Sequence, residues 1–211
     1  MTTVAFTQFL PEVMPSVHGC SDILAINAIR NACIEFCTST MYWQETQDPI
    51  SLAAGDLPYD FEAPSGANVI QPMAITIGGR PILPKSADWL DANIYDWRNQ
   101  VADSPTYFYQ PNANQMVLVP APTAAVTVTI RCAYIPARDG SVVDITLYEY
   151  YLEAIAAGAL ARLCSLPGQA WSNPQLADFK KREMASAITA ATIEANKSYD
   201  RAGMRVQMRL G

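Results

Sequence analysis

The sequence contains a single histidine among 211 residues, and this scarcity excludes most of the familiar catalytic arrangements. His18 lies beside Gly19 and close to Pro15, a composition typical of a loop. Serine and cysteine nucleophiles are commonly activated by a histidine, and no nucleophile elbow, glycine-rich phosphate loop or oxyanion nest accompanies His18. We therefore predict a surface or interface histidine in a protein that is not an enzyme and has no catalytic residue.

Long apolar runs are missing as well. No segment approaches the roughly 20 apolar residues that a membrane-spanning helix needs. The N-terminal stretch "MTTVAFTQFLPEVMP" has no positively charged region and is interrupted by two prolines, unlike a signal peptide. These absences predict a soluble protein that is made in a cytoplasm and has no membrane partner.

The sequence shows no recognisable metal site. Its five cysteines are odd in number and lie in apolar segments, which favours reduced, buried side chains. His18, Cys20, Cys33 and Cys37 fit no standard zinc spacing, and Cys33 and Cys37 stand one helical turn apart on an apolar face. Two groups of carboxylates follow no calcium-loop order and are typical of solvated turns: Asp56, Asp60 and Glu62, and Asp88, Asp91 and Asp96. We expect neither a metal nor a cofactor.

Charged residues are few, at 16% of the chain, and the net charge is −6. The negative sign argues against a general nucleic-acid-binding protein, and a surface poor in charge is typical of a subunit that is covered by other subunits. The charge is uneven, because residues 1–135 carry 5 basic and 12 acidic side chains whereas residues 136–211 carry 9 and 8. The basic C-terminal part is either a solvated helix and tail or an arm that meets an acidic partner.

Helical patterns enclose a long stretch with strand patterns. A helix is predicted over residues 21–39, where apolar positions follow the cap residues Ser21 or Asp22. Residues 43–136 hold most of the prolines and several short alternating runs, which predict a compact antiparallel β module. Gly78-Gly79 and the Asn-Ala-Asn of residues 112–114 predict two hairpin turns within it.

A second helical pattern begins near residue 145 with a Thr146-x-x-Glu149 capping box. A proline-glycine pair ends this helix, and Asn173-Pro174 begins another that continues to about Tyr199. The order predicts an α+β fold, a bundle of three to four helices with an inserted antiparallel β domain and an extended C-terminal arm. The predicted bounds are 1–42 and 137–200 for the two parts of the bundle, 43–136 for the β module and 201–211 for the arm. The expected bundle core is Ile26, Ile29, Cys33, Phe36, Ile155, Leu160, Leu163, Trp171, Leu176 and Phe179.

Four pieces of the chain, in order, resemble the head-to-tail adaptor (head-completion or connector) proteins of tailed bacteriophages. They are the opening helix "ILAINAIRNACIEFCTSTMYWQ", the strands "PISLAAGDLPYDFEAPSGANVIQPMAITIGGRPILPKS", the hairpin "TYFYQPNANQMVLVPAPTAAVTVTIRCAYIPA" and the helices "YLEAIAAGALARLCSLPGQAWSNPQLADFKKREMASAI". The second piece has a Tyr-x-Phe-x-x-Pro step. The last contains a Gly-Ala-x-x-Arg-Leu helix, a proline break and a Trp-x-x-Pro restart.

This resemblance implies a structural virion protein in the neck, at the head-tail junction, assembled in the host cytoplasm. It implies a homo-oligomeric ring, dodecameric in most such adaptors, between the portal protein and a nozzle or tail-tube protein. The ring would extend the DNA channel, touch the passing genome transiently and without sequence specificity, and present the platform for tail attachment. An acidic channel wall would avoid trapping the phosphate backbone.

The segment "GMRVQMRLG" alternates apolar and polar residues like a half-buried strand that has no later strand to pair with. An unpaired strand edge is an aggregation hazard unless a partner covers it. In an adaptor that partner is another chain, so we predict an arm that adds to a portal strand or groove. Its portal-binding residues are expected to be Arg201, Met204, Arg205, Val206, Gln207, Met208, Arg209 and Leu210.

Two other functions stay open at this point. Abundant aromatic residues in the β module, among them Trp43, Trp89 and Trp97, are compatible with a carbohydrate- or receptor-binding module of a phage structural protein. A hydrolase that uses cysteine or carboxylate chemistry is the third hypothesis. Core and interface filling explains the same aromatic residues without any ligand.

Overall fold

A computed structural model describes residues 2–55 and 58–197. The chain forms two compact units, of which the first contains Trp43–Leu147 together with the segment up to Phe6. The second contains Thr7–Tyr42 and the residues from Tyr148 onward. We refer to them as the β unit and the helical unit.

The described residues contain twelve β-strands, all in the β unit. They are β1 (Thr3–Ala5), β2 (Gln44–Thr46), β3 (Ile50–Leu52), β4 (Tyr59–Asp60), β5 (Ala67–Ile77), β6 (Arg80–Pro84), β7 (Val101–Ala102), β8 (Tyr107–Asn112), β9 (Gln115–Val119), β10 (Ala121–Pro122), β11 (Val126–Pro136) and β12 (Val142–Asp144). Eight form one sheet, in which seven follow the order β2-β11-β5-β6-β8-β9-β4 and β3 pairs with β11. This sheet curls into a half-barrel. Two small sheets pair β1 with β12 and β7 with β10.

The antiparallel pair β5–β11 is the longest strand pairing of the large sheet. Along β11, Val128, Ile130 and Cys132 are buried at alternate positions, the period of a strand with one face in the core. Register shifts after Arg131 and after Ala133 mark irregularities in this pairing. Irregularities of this kind bend a strand and increase its twist, which suits a curled sheet.

Both predicted hairpin turns are confirmed. Gly78 and Gly79 have φ of 55° and 78° and join β5 to β6, with Ile77 opposite Arg80. Two successive residues with positive φ are what a two-residue hairpin turn of type I′ requires, and glycine adopts them without strain. The second turn joins β8 to β9, with Asn112 opposite Gln115.

Five α-helices lie within the described residues: α1 (Leu10–Val13), α2 (Asp22–Thr40), α3 (Ala87–Asn93), α4 (Ile145–Cys164) and α5 (Pro174–Lys197). The predicted caps of α2 and α5 are present, because Ser21 Oγ accepts from Leu24 N at 3.4 Å and Asn173 Oδ1 accepts from Leu176 N at 3.1 Å. None of the helices in the part of the chain that the structure describes has the length and apolar character to span a membrane.

The predicted Thr146–Glu149 capping box is wrong. Asp144 Oδ1 instead accepts hydrogen bonds from both the backbone N–H of Thr146, at 2.8 Å, and its hydroxyl. Asp144 immediately precedes the helix, and its carboxylate accepts from one backbone N–H of the first turn. Thr146 therefore lies inside the helix as a donor. The helix is interrupted at Tyr151, whose φ of −127° is not helical.

The expected core residues occupy different depths in the helical unit. Six are buried: Ile29, Cys33, Phe36, Ile155, Leu160 and Leu163. Ile26, Trp171 and Leu176 are partly exposed, and the side chain of Phe179 is 57% exposed. Phe179 lies at the surface because its neighbour Ala177 and, further along α5, Met184 and Ala191 are the residues that α5 buries.

The predicted architecture, a helical bundle with an inserted antiparallel β domain, is wrong. The chain has a β-rich fold organised by the curled sheet, together with five helices in its described part. The large sheet is also mixed, since β6 and β8 run parallel, and the small sheet of β7 and β10 is parallel as well. The reason lies in strands of two or three residues such as β1 and β12, which are too short to show an alternating pattern. The predicted arm, residues 201–211, lies outside the described residues.

Candidate interaction surfaces

The segment that contains α3 packs on the β unit through a small hydrophobic cluster. Ser86 Oγ accepts a hydrogen bond from Trp89 N at 3.2 Å and begins the helix. Leu90, Trp97 and Val119 are buried together beneath it, and they hold the segment against β9. Trp89, Ile94, Tyr107 and Tyr109 pack around these three residues.

Two cationic side chains lie over aromatic rings of this segment. Lys85 Nζ lies 4.1 Å from the centre of the Trp89 ring, and the Arg98 guanidinium lies 4.3 Å from that of Trp97. Asp91 accepts hydrogen bonds from Arg98 at 2.6 Å and from Trp97 Nε1 at 2.8 Å. These hydrogen bonds lower the pKa of the Asp91 carboxyl, and the bond from Arg98 has the larger effect. The rings are therefore packed against one another and against cations.

The turn after α3 is fixed by short-range hydrogen bonds. Asn99 N donates to Asp96 O at 3.0 Å, and the Asn99 side chain donates to the Asp96 carboxylate at 2.7 Å. Gln100 Nε2 donates to Tyr95 O at 2.8 Å. The side chain of Tyr95 at the apex is 92% exposed. We call residues 94–100 the Tyr95 loop, an ordered turn that presents one large aromatic side chain to solvent.

A groove runs between α4 and α5 in the helical unit, with a volume of about 620 Å³. Small residues of both helices line it, together with three aromatic residues: Tyr150, which is 68% exposed, Tyr151 and Phe179. Arg182, Glu183 and Glu153 line it as well. We call this depression the α4–α5 groove. An exposed aromatic rim around small residues is typical of a surface that receives a partner.

A second groove of about 450 Å³ is lined by α2, α4 and α5. Arg162 forms an ion pair with Glu35 at 2.5 Å beside it, and both side chains are more than 40% exposed. Asp178 and Lys181 complete its charged rim. Its polar groups are balanced in sign, and an exposed ion pair of this kind contributes little to stability.

The structure does not assemble the candidate catalytic or metal-ligating residues. His18 is exposed, and the five cysteines are buried thiols that form no disulfide within the described residues. Burial, and to a smaller extent the nearby Cys37, raises the pKa of the Cys33 thiol well above its ordinary value, opposite to what a reactive thiolate needs. Among residues 2–55 and 58–197 no group of three or more histidine, cysteine or carboxylate side chains could hold a metal ion. Asp56 lies outside the described residues.

The residues predicted to bind the portal also lie outside them: Arg201, Met204, Arg205, Val206, Gln207, Met208, Arg209 and Leu210. Sequence reasoning missed the Tyr95 loop and the α4–α5 groove. The available signals were a tyrosine in the polar stretch "DANIYDWRNQ" and the small residues of "ASAITAA" on α5. Neither pattern reveals a surface until the tertiary structure places the residues.

The sequence model of a family described as SU10 adaptor protein matches residues 8–209, which is nearly the whole chain. A search of curated protein sequences finds no significant match.

Proposed function

The chain belongs to the SU10 adaptor protein family, a family of phage head-to-tail adaptors, and on this premise we propose that it forms a ring between the portal and the tail. The match over residues 8–209 is the observation that carries the proposal. The family is a structural one whose members associate with head and tail proteins of the virion. The ring would be dodecameric, with the portal protein on one side and a nozzle or tail-tube protein on the other.

Two separate exposed surfaces support a ring. In a closed ring of identical subunits each copy buries two different patches, one against each neighbour. Large hydrophobic side chains are exposed on the β unit at Leu83, Tyr95 and Val101, and on the helical unit at Tyr150 and Phe179. In a ring, side chains of this kind would be covered by the neighbouring copies.

The charge distribution suits a channel whose wall does not bind the passing DNA tightly. Residues 1–6 and 43–147, which make up the β unit, carry 5 basic and 11 acidic side chains. We infer that acidic side chains face the channel, because negative walls repel the phosphate backbone and leave only transient, non-specific contact with the genome. A channel wall that consists mainly of lysine and arginine would contradict this part of the proposal.

The ring is tested by adding the purified chain to the purified portal protein of the same phage. Native mass spectrometry should give a complex in which adaptor copies match portal copies, and cryo-electron microscopy should show them as a ring beneath the portal. A chain that remains free at micromolar concentration with the portal present would overturn the proposal. A monomer without portal would not, because the portal ring can serve as the template.

A further inference from the structure

The α4–α5 groove concentrates exposed apolar surface on one side of the helical unit. The residues of α5 that line it, from Phe179 to Ala190, follow the three- and four-residue spacing of one helix face, and Ile193 continues that face by one turn. Tyr150, Phe179 and Ile193 are three of the seven large hydrophobic side chains that are exposed among the described residues. Such a concentration indicates a surface that is covered by a partner segment.

The unpaired charge around the groove is negative. Arg182, the one cation among the described residues that line it, is paired with Asp178 on its own helix at 2.9 Å. Glu153 is exposed and forms no ion pair within the described part of the chain. Glu194 is exposed as well and accepts a hydrogen bond from the Tyr151 hydroxyl at 2.7 Å. An occupant of the groove should therefore combine apolar side chains with positive charge.

The sequence that follows α5 has this combination. Residues 201–211 contain three arginines and no acidic residue, and their apolar side chains alternate with polar ones: Met204, Val206, Met208 and Leu210. In an extended segment these four side chains face one side. Methionine is flexible and makes favourable contacts with aromatic rings, which the groove supplies. Arginine side chains are long enough to reach carboxylates at the edge of a groove while the apolar row fills it.

The length of this segment also matches the groove. Fourteen residues follow Lys197, the last residue of α5. At 1.5 Å per helical residue, Ala190 lies about 10 Å and Phe179 about 27 Å before Lys197 along the helix. An extended chain covers about 3.3 Å per residue, so residues 198–203 are enough to turn back to Ala190. Residues 204–210 can then cover about 20 Å, which is the lined length of α5.

We propose that residues 204–210 dock in the α4–α5 groove of their own chain, antiparallel to α5, in the free subunit. The segment of the same copy is favoured over that of a second copy, because a short tether gives it an effective concentration in the millimolar range. The same apolar row is the one predicted to bind the portal. Groove and portal therefore compete for it, and this consequence, unlike the docking itself, rests on the proposed function.

The first test measures how fast an arginine-specific protease cleaves the free chain after Arg205 and Arg209. Cleavage requires the segment to leave the groove, so its rate follows the undocked fraction when docking is fast. The unaltered chain should be cleaved about tenfold more slowly than a synthetic peptide of residues 198–211. Equal rates for the chain and the peptide would overturn the inference.

Matched variants show whether the groove causes the protection. Glu153→Lys reverses a charge beside the groove and Ala187→Trp fills it, so each should raise the cleavage rate by about threefold or more. Glu62→Lys and Thr189→Trp make the same changes at exposed positions that do not line the groove, and they should behave like the unaltered chain. Circular dichroism confirms that the four variants are folded. Protection that survives both groove variants would contradict the docking.

The second test identifies the contact directly. A photoreactive benzoylphenylalanine replaces Met208 and is activated in the free chain at low concentration. The expected product has the mass of one chain and joins position 208 to a peptide between residues 150 and 190. The same group at Gln207, on the other side of an extended segment, should give less of this product. A product between two chains, or none, would overturn the inference.

The third test measures the competition with the portal. Glu153→Lys should bind the portal more tightly than the unaltered chain, by up to about tenfold, because a larger fraction of its segments is undocked. Equal affinities would contradict the competition. If the portal binds neither chain, the proposed function fails instead. The protease and cross-linking experiments use the free chain, so they distinguish this failure from a failure of the docking.

Discussion

At the scale of single residues, β11 carries two ionisable side chains deep in the β unit. Cys132 and Tyr134 are 0% and 1% exposed. Burial raises the pKa of the Cys132 thiol to about 11 and that of the Tyr134 phenol to about 12. Gln47 Nε2 donates a hydrogen bond to the Tyr134 hydroxyl at 3.0 Å and opposes part of that rise. Both groups are therefore neutral at neutral pH, and their ionised forms belong to the unfolded chain.

These pKa shifts predict a loss of stability at alkaline pH. An unfolded thiol releases its proton near pH 9.0 and an unfolded phenol near 10.0, whereas the folded chain retains both protons to about 11 and 12. The unfolded state binds fewer protons in this window, so the free energy of unfolding falls as pH rises, by at most about 1.4 kcal/mol per pH unit for each group. Urea unfolding curves between pH 7 and 10.5 measure this fall in the free energy of unfolding.

Tyr134→Phe and Cys132→Ala should each make this decline shallower, although both variants start from lower stability at pH 7. Tyr150→Phe is the matched control, because it removes a phenol that is 68% exposed and should leave the slope unchanged. A free energy of unfolding that stays constant from pH 8.5 to 10.5 in the unaltered chain would contradict the assignment.

At the scale of elements, the helical unit depends on one close approach between three helices. Gly158 lies within α4, where it is buried. A Cβ at this position would stand 2.2 Å from Met184 Sδ on α5 and 3.1 Å from Ala32 Cβ on α2. Only glycine permits this spacing without moving the neighbours, even though glycine is unfavourable within a helix.

Gly158→Ala should therefore destabilise the protein despite its better helix propensity. Alanine has a higher helix propensity than glycine, which stabilises the helix by about 1 kcal/mol. The clash with the neighbouring helices costs about 1–3 kcal/mol, so we expect the free energy of unfolding to fall by up to about 2 kcal/mol. Urea unfolding at neutral pH measures the difference. In a Met184→Ala background the same substitution should become neutral or stabilising, because the clashing side chain is gone. An unconditional increase in stability would show that α4 and α5 do not approach so closely.

The element scale also shows what sequence patterns can and cannot predict. The helices α2 and α5 were found with their cap residues, because long apolar periodicity and N-terminal side-chain caps are local signals. The Gly78-Gly79 turn was found for the same reason. The pairing of β1 with β12, which joins residues about 140 positions apart, and the parallel neighbours β6 and β8 depend on long-range contacts. No local pattern contains that information, so the architecture was misjudged while its pieces were recognised.

The candidate site follows the same division. His18 lies exposed in a turn, as its glycine and proline neighbours indicated, but Tyr95 resembles any loop tyrosine in the sequence. Its importance comes from its 92% exposure on a hydrogen-bonded turn, and both properties are tertiary. Phe179 shows the reverse, since its helical spacing suggested a core position and the structure places it at the surface.

At the scale of the whole molecule, charge is divided unevenly between the β unit and the C-terminal part of the chain. The β unit is acidic, whereas from Lys180 onward the sequence has seven basic and three acidic residues. The basic C-terminal segment is available for an acidic partner outside the ring, which in the proposed function is the portal.

Deleting residues 203–211 should leave a folded protein that no longer joins the portal. The deletion begins after the last residue of α5, Lys197, so circular dichroism should match that of the full chain. The deletion removes the apolar row Met204, Val206, Met208 and Leu210 together with Arg205 and Arg209. In an extended arm alternate residues face opposite sides. Val206→Asp with Met208→Asp should therefore abolish portal binding, and Gln207→Ser should not. If the shortened chain still forms a ring on the portal, the portal contact must lie elsewhere on the protein.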